Sequence, residues 1–427
     1  MHSSLPRPLS SLVLVRRILI VASAATLSFG LAACESDEDV TNDLVDALSD
    51  AIAADVADAG PDANEEDSGE VMTDAEGDAE ADTAPEAPVL PELEAGWNVV
   101  EPGGDTICSR GTPFRFAVRP GTVNRVVVDF MGGGACWDDL TCSIAGSIFN
   151  EDVENIDALV GQSGAGIYDT ENEENPFKDW YHVFIPYCTG DIHWGDSTTT
   201  YGSGNSEFEI NHRGQANVRA VLDYLDAEFS GPDNVFVTGC SAGAYGSVMW
   251  APTIFEIFPD AVHAQFGDSG AGIITQQFFS DSFPSWNPDG AFPAFIPDLD
   301  PATTEIIELN ASDLYGRVAA YYPNTPITQY HSAYDNNQTF YFEAMGGGDQ
   351  FAWSAEMYES MEYAESLSPN ISTYIGPGET HCMIPYDRFY EAEADGVRLV
   401  DWVRELSEGT MTDSVRCTDC EPPGGGE

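Results

Sequence analysis

The residues Gly239-Cys240-Ser241-Ala242-Gly243 form a Gly-x-Ser-x-Gly pattern directly after the β-branched run Asn234-Val235-Phe236-Val237-Thr238. A serine hydroxyl becomes an effective nucleophile only when a base takes its proton and an acid orients that base. Glycine on either side lets the chain turn sharply from strand to helix and lifts the serine above the sheet. Amides of the first helical turn, with the positive end of the helix, can then stabilise a developing oxyanion. The plain alternative is a tight structural turn. The preceding strand favours a nucleophile elbow with Ser241 as nucleophile.

In such an elbow the chain order is Ser, then Asp or Glu, then His. Two histidines follow Ser241. His331 falls inside a strand-like run and reads as a core or edge residue. His381 follows Ile371 to Ile375 and the loop Gly376-Pro377-Gly378-Glu379-Thr380, a position suited to an aimed base. Asp335, just after Ser332-Ala333-Tyr334, is the favoured acid; Asp349, in a glycine-rich loop, is its competitor. Gly132-Gly133-Gly134-Ala135 offers amides that a substrate carbonyl can approach closely, because side chains are nearly absent there. Ala242, the residue after the nucleophile, supplies the opposing amide.

The elements that hold these residues follow from apolar patterning. Asn124 to Phe130 reads as a buried strand entering the glycine loop, and Tyr181 to Pro186 as a second strand. Val218, Val221, Leu222 and Leu225 lie on one face of a helix between Asn217 and Phe229. Gly231-Pro232-Asp233 then turns the chain into the strand before Ser241. Further strands are expected at Ala261 to Phe266, Ile327 to Ala333 and Ile371 to Ile375, with helices around Trp353 to Ser366 and Tyr386 to Leu406. The aromatic stretch from Gln276 to Asp300 has no clean period and reads either as a cap lining a cleft or as a satellite core. Alternating helices and strands predict an α/β-hydrolase fold, with a mostly parallel central sheet and helices on both faces.

The chain resembles the pectin acetylesterase and Notum-like carboxylesterase family over most of residues 95 to 410. The resemblance rests on Gly132 to Trp137, Tyr187-Cys188-Thr189-Gly190-Asp191-Ile192-His193-Trp194-Gly195-Asp196, His212-Arg213-Gly214, Gly239 to Gly243, Asp268-Ser269-Gly270, Ala333-Tyr334-Asp335 and His381-Cys382. It implies a Ser241–Asp335–His381 triad and an oxyanion hole at Gly133 and Gly134 with Ala242 opposite. It also implies a place for Trp137 near the substrate pocket and a structural role for Asp268 behind the site. Ala135 departs from the bulky aromatic or polar residue that relatives often carry, and Cys240 and Ala244 differ from some elbow versions. These departures bear on substrate more than on reaction.

Other features bound the setting. Arg16-Arg17, the apolar run Ile18 to Ala33, and Leu31-Ala32-Ala33-Cys34 read as a lipoprotein signal over 1–33 with Cys34 lipidated. The expected location is therefore an exported bacterial lipoprotein, on the periplasmic or cell-surface side of a membrane. Residues 35–94 hold 22 acidic residues and no Lys or Arg, so 34–94 reads as an acidic disordered tether. Residues 95–427 form the expected catalytic domain. Its 51 acidic and 12 basic residues argue against nucleic acid as a partner. Eight cysteines remain after Cys34, an even number that favours disulfides. Cys136 with Cys142 and Cys417 with Cys420 are the local candidates, and a metal site lacks a second ligand cluster.

The expected activity is serine carboxylester hydrolysis that removes acetyl or other short acyl groups from a polysaccharide or glycan, with no metal or organic cofactor. The expected partners are that ester and, through Cys34, a membrane surface. The alternatives are a lipid or polyester esterase, which would use the aromatic stretch as an acyl groove, and a catalytically inactive surface binding protein. The acidity of the chain disfavours close approach by a pectate polyanion unless salt screens it.

Overall fold

β-Branched and aromatic runs, buried on both faces, set the centre of the molecule. The computed structural model describes residues 90–161, 164–270 and 272–420. The expected signal segment, Cys34 and nearly all of the acidic stretch lie outside the described residues. In chain order the strands are β1 (Asn98–Val100), β2 (Phe116–Arg119), β3 (Arg125–Phe130), β4 (Tyr181–Ile185), β5 (Ser197–Tyr201), β6 (Phe208–His212) and β7 (Asn234–Cys240). They continue with β8 (Val262–Asp268), β9 (Ile327–Ser332), β10 (Ile371–Gly376), β11 (Glu393–Ala394), β12 (Val397–Arg398) and β13 (Val415–Arg416).

Nine of them form one sheet in the order β1-β2-β4-β3-β7-β8-β9-β10-β13. The pairs from β4 to β13 are parallel, and β1 and β2 add an antiparallel edge. This is the α/β-hydrolase architecture. Side chains alternate between the sheet's faces with a period of two. Val126, Val128, Val235 and Val237 enter a core shared with the helices Gly214–Glu228 and Ala242–Ile257. Val127 and Phe236 point the other way, into a core shared with Leu399, Val403 and Leu406 of the helix Leu399–Ser407. Both faces are covered, as a parallel sheet requires.

One expectation needs correction, and one alternative is resolved. No single helix spans 386–406: a helix Arg388–Glu391 is followed by the β11–β12 hairpin and then by Leu399–Ser407. The cause is Asp395-Gly396, whose φ values of 49° and 80° make the tight turn that joins antiparallel strands. The stretch 276–300 contains the helix Gln276–Trp286. Its Phe279, Phe283 and Trp286 are buried in the main core, whereas Phe295 is exposed.

Four disulfides tie the described residues: Cys108–Cys188, Cys136–Cys142, Cys240–Cys382 and Cys417–Cys420. The first and third join residues far apart in sequence and were not anticipated.

Candidate active site

The turn at Ser241 is sharp because β7 ends at Cys240 and a helix begins at Ala242. Ser241 has φ 58° and ψ −122°, a conformation rare and costly for a residue other than glycine, and one that collects at functional sites. Its amide donates to the Asp268 carbonyl at 2.8 Å. Gly243 must be glycine, since a Cβ there would collide with the Phe130 carbonyl of β3.

Asp335 lies three residues beyond β9 and caps the helix Asn336–Ala344. Its Oδ1 accepts the amides of Asn337 and Gln338, each at 2.9 Å, and its Oδ2 accepts Gln338 Nε2 at 3.0 Å. The same fully buried carboxylate accepts from His381 Nδ1 at 2.8 Å. Burial alone would lower the pKa of His381, but the charge and hydrogen bond of Asp335, helped by Asp268, outweigh it and raise the value. Arg388 opposes the rise and also fixes the backbone, donating to the carbonyls of His381 and Cys382. Among the described residues no hydrogen bond joins Ser241 Oγ to His381. Such bonds often tighten only when substrate is bound.

The competing residues have other surroundings. His331 is fully buried, hydrogen-bonded to Gln329 and Gln338, and pushed down to about 4 by burial, so it stays neutral. Asp349 caps the helix Gln350–Leu367 by accepting the amides of Phe351 and Ala352.

The glycine loop runs against the elbow. A Cβ on Gly132 would lie 2.9 Å from Ser241 Cβ. Gly134 has φ 81°, and the Tyr341 hydroxyl and the Ile148 carbonyl fill the space a side chain would need. Gly133 packs on the Tyr187 ring. The entry to this loop is held by His193 Nε2, which bonds the Met131 carbonyl at 2.9 Å. Burial pushes His193 down to about 4, so its ring is neutral and its Nε2–H donates.

Gly134, Ala135, Ser241 and Ala242 open on one cavity of about 60 Å³. Its apolar wall includes Trp137, Ile273, Ile274, Phe278 and Met345. Trp137 and Phe278 meet edge to face with ring centroids 5.0 Å apart. The helix Gln276–Trp286 therefore does both things its sequence suggested: Phe278 lines the cavity while its neighbours fill core. Residues that sequence reading missed as part of the site include Gln338 and Arg388, which carry no motif, and Ser269, which was visible only as part of Asp268-Ser269-Gly270.

Among the described residues, two groups bring Cys and His atoms within 4.8 Å of one another: Cys136, Cys142 and His212, and Cys240, Cys382 and His381. In each, both sulfurs are bound in a disulfide, which leaves one histidine and no metal centre.

The Pectinacetylesterase family profile matches residues 98–366, more than half of the chain. The chain belongs to the pectinacetylesterase family. Among curated proteins, it is 31% identical to pectin acetylesterase 11 of Arabidopsis thaliana over 129 residues, which are 30% of this chain and 32% of that protein. It is 25% identical to the palmitoleoyl-protein carboxylesterase NOTUM of Mus musculus over 181 residues, 40% of this chain and 35% of that protein. The matches thus span about a third of the length of these relatives. Among solved structures, the Wnt deacylase Notum from Drosophila superposes with a TM-score of 0.53 at 16% identity, covering 79% of this chain and 97% of that one. That likeness concerns the fold.

These pectinacetylesterase-family relatives correct the expected location. They are plant and animal proteins, so the placement as a bacterial lipoprotein on a periplasmic or cell-surface membrane is withdrawn; the lipidation expected at Cys34 lies outside the described residues. The apolar run at 18–33 and the cysteine after it carry no information about the host organism. No described helix is long and apolar enough to cross a membrane.

Proposed function

We propose that this pectinacetylesterase-family chain is a serine carboxylesterase that removes acetyl or other short acyl groups from a glycan. Ser241 is the nucleophile, His381 the base and Asp335 the acid that orients it. The observation that carries the reading is the 2.8 Å bond between His381 Nδ1 and an Asp335 carboxylate that backbone amides hold in place. That bond keeps the proton on Nδ1 and leaves Nε2 free to accept one.

His381 takes the proton of Ser241, whose Oγ attacks the ester carbonyl. The oxyanion forms against the amides of Ala242 and of the Gly133-Gly134 loop. His381 then protonates the alcohol, which leaves. A water, deprotonated by the same histidine, attacks the acyl-enzyme and releases the acid.

Cavity size favours short acyl groups. A cavity of roughly 150 Å³ holds a benzene molecule, whereas this one measures about 60 Å³. The Arabidopsis relatives are named for pectin acetyl esters, and this supports a glycan as the alcohol partner. A second reading, cleavage of a longer acyl chain, rests on the apolar wall of the cavity and on the palmitoleoyl-protein carboxylesterase among the relatives. Purified protein assayed on matched acetyl, butyryl and long-acyl esters and on an acetylated polysaccharide separates the two. Acetate release from the polysaccharide supports the first; exclusive long-chain turnover supports the second; no turnover of any ester contradicts both.

A further inference from the structure

Asp268 is the last residue of β8, in register with Cys240 at the end of β7. Its backbone carbonyl accepts the amide of Ser241 at 2.8 Å. Its carboxylate reaches the other side of the site, where Oδ2 accepts the amides of Met383 at 2.6 Å and Ile384 at 2.8 Å. Oδ1 accepts the Ser269 hydroxyl at 2.9 Å, and Ser269 Oγ in turn accepts the amide of Cys382 at 3.0 Å. Three consecutive amides after His381 therefore end on Asp268 or on the serine it holds.

The charge on this residue calls for an explanation. Asp268 is fully buried, and among the described residues no cationic side chain hydrogen-bonds its carboxylate. Burying an unpaired charge is costly, and a neutral amide oxygen would serve the two backbone donors as well. Burial raises the Asp268 pKa, while the amides of Ile384 and Met383, the Ser269 hydroxyl and the facing His381 ring oppose that rise and favour the ionised form. The charge faces the base. The groups acting electrostatically on the His381 ring are Asp335 from the cap of Asn336–Ala344, Asp268 from the end of β8, and Arg388 from its own segment, while the neutral His331 ring lies nearby on β9.

We propose that Asp268 is a positioning residue of the esterase site: it locks the turn that aims His381 to the backbone of the nucleophile, and its negative charge stabilises the imidazolium that forms during acyl transfer. The proposal rests on the esterase reading above. It adds a second carboxylate to the acid side of the triad, acting through the 382–384 turn and through space, with no contact to substrate.

The test uses the full chain and the variants Asp268→Asn, Ser269→Ala and Ser241→Ala. Asp268→Asn keeps an oxygen for the Met383 and Ile384 amides and removes the charge. Its kcat is expected to fall about 10- to 100-fold with KM little changed. The His381 titration, read by NMR on the protein alone, is expected to move down by about half a pH unit. Ser269→Ala should lower kcat without moving that titration, because the charge remains. An Asp268→Asn protein with an unmoved His381 titration, or with wild-type kcat, overturns the proposal. Should Asp268→Asn fail to fold, wild-type kcat in Ser269→Ala would overturn the positioning. The NMR readout separates this inference from the esterase reading, which fails instead if Ser241→Ala turns over ester like the wild type.

Discussion

Cys240 and Cys382, the chain neighbours of Ser241 and His381, are joined by a disulfide with their Cα atoms 5.7 Å apart. The bond links the elbow at the end of β7 to the turn after β10, two segments separated by 142 positions in sequence. Asp268 and Ser269 hold the same two segments by hydrogen bonds. Ser241 and His381 are thus fixed relative to each other through their neighbours' backbone and sulfur.

Removing this tie should cost stability and turnover together. A disulfide closing so long a loop stabilises by roughly 2–5 kcal/mol. The double variant Cys240→Ser/Cys382→Ser is expected to melt several degrees lower and to lose more in kcat than in KM. Thermal melts and steady-state kinetics check this. Unchanged kcat would mean that the tie is only structural.

The pH dependence follows from His381. Its pKa is raised above the ordinary 6.5, and the imidazole must be neutral to take the Ser241 proton. Activity should therefore rise with pH through a midpoint above about 6.5. The contribution of its protonation to stability runs the opposite way. It is full below the unfolded value and is lost as pH rises through the raised folded value. Profiles of kcat/KM and of melting temperature between pH 5 and 9 should show the two trends crossing; a kcat/KM midpoint below 6 would contradict the electrostatics described.

How much of this was legible beforehand depended on locality. The strand–turn–helix around Ser241 could be read because its signals, a β-branched run and two glycines, sit within ten residues. His381 was marked by its glycine-rich loop. The Cys240–Cys382 bond was not legible: pairing was sought between cysteines close in sequence, and nothing local says that the ends of β7 and β10 meet. The Asp395-Gly396 turn carried a plain hairpin signal but was overridden by the apolar spacing on either side. Phe278 was blurred among prolines and aromatics until the helix Gln276–Trp286 set it against Trp137. The apolar run and cysteine near the N-terminus suggested a bacterial membrane location, which plant and animal relatives contradict.

The cavity wall beside Ser241 is where acyl length would be read. Phe278→Ala removes the ring that meets Trp137 and should enlarge the cavity, at a cost of about 3–5 kcal/mol in stability. Butyryl and hexanoyl esters are expected to gain several-fold relative to acetyl. An unchanged acyl preference in a folded variant would show that Phe278 does not limit the chain.

Whether Ser241 forms the acyl-enzyme is read from acetate release from an acetylated polysaccharide by the wild type and Ser241→Ala, with melting curves to show that both are folded. Turnover in the variant should fall by about three orders of magnitude or more with the melting temperature nearly unchanged. A folded Ser241→Ala protein that releases acetate at close to the wild-type rate would contradict it.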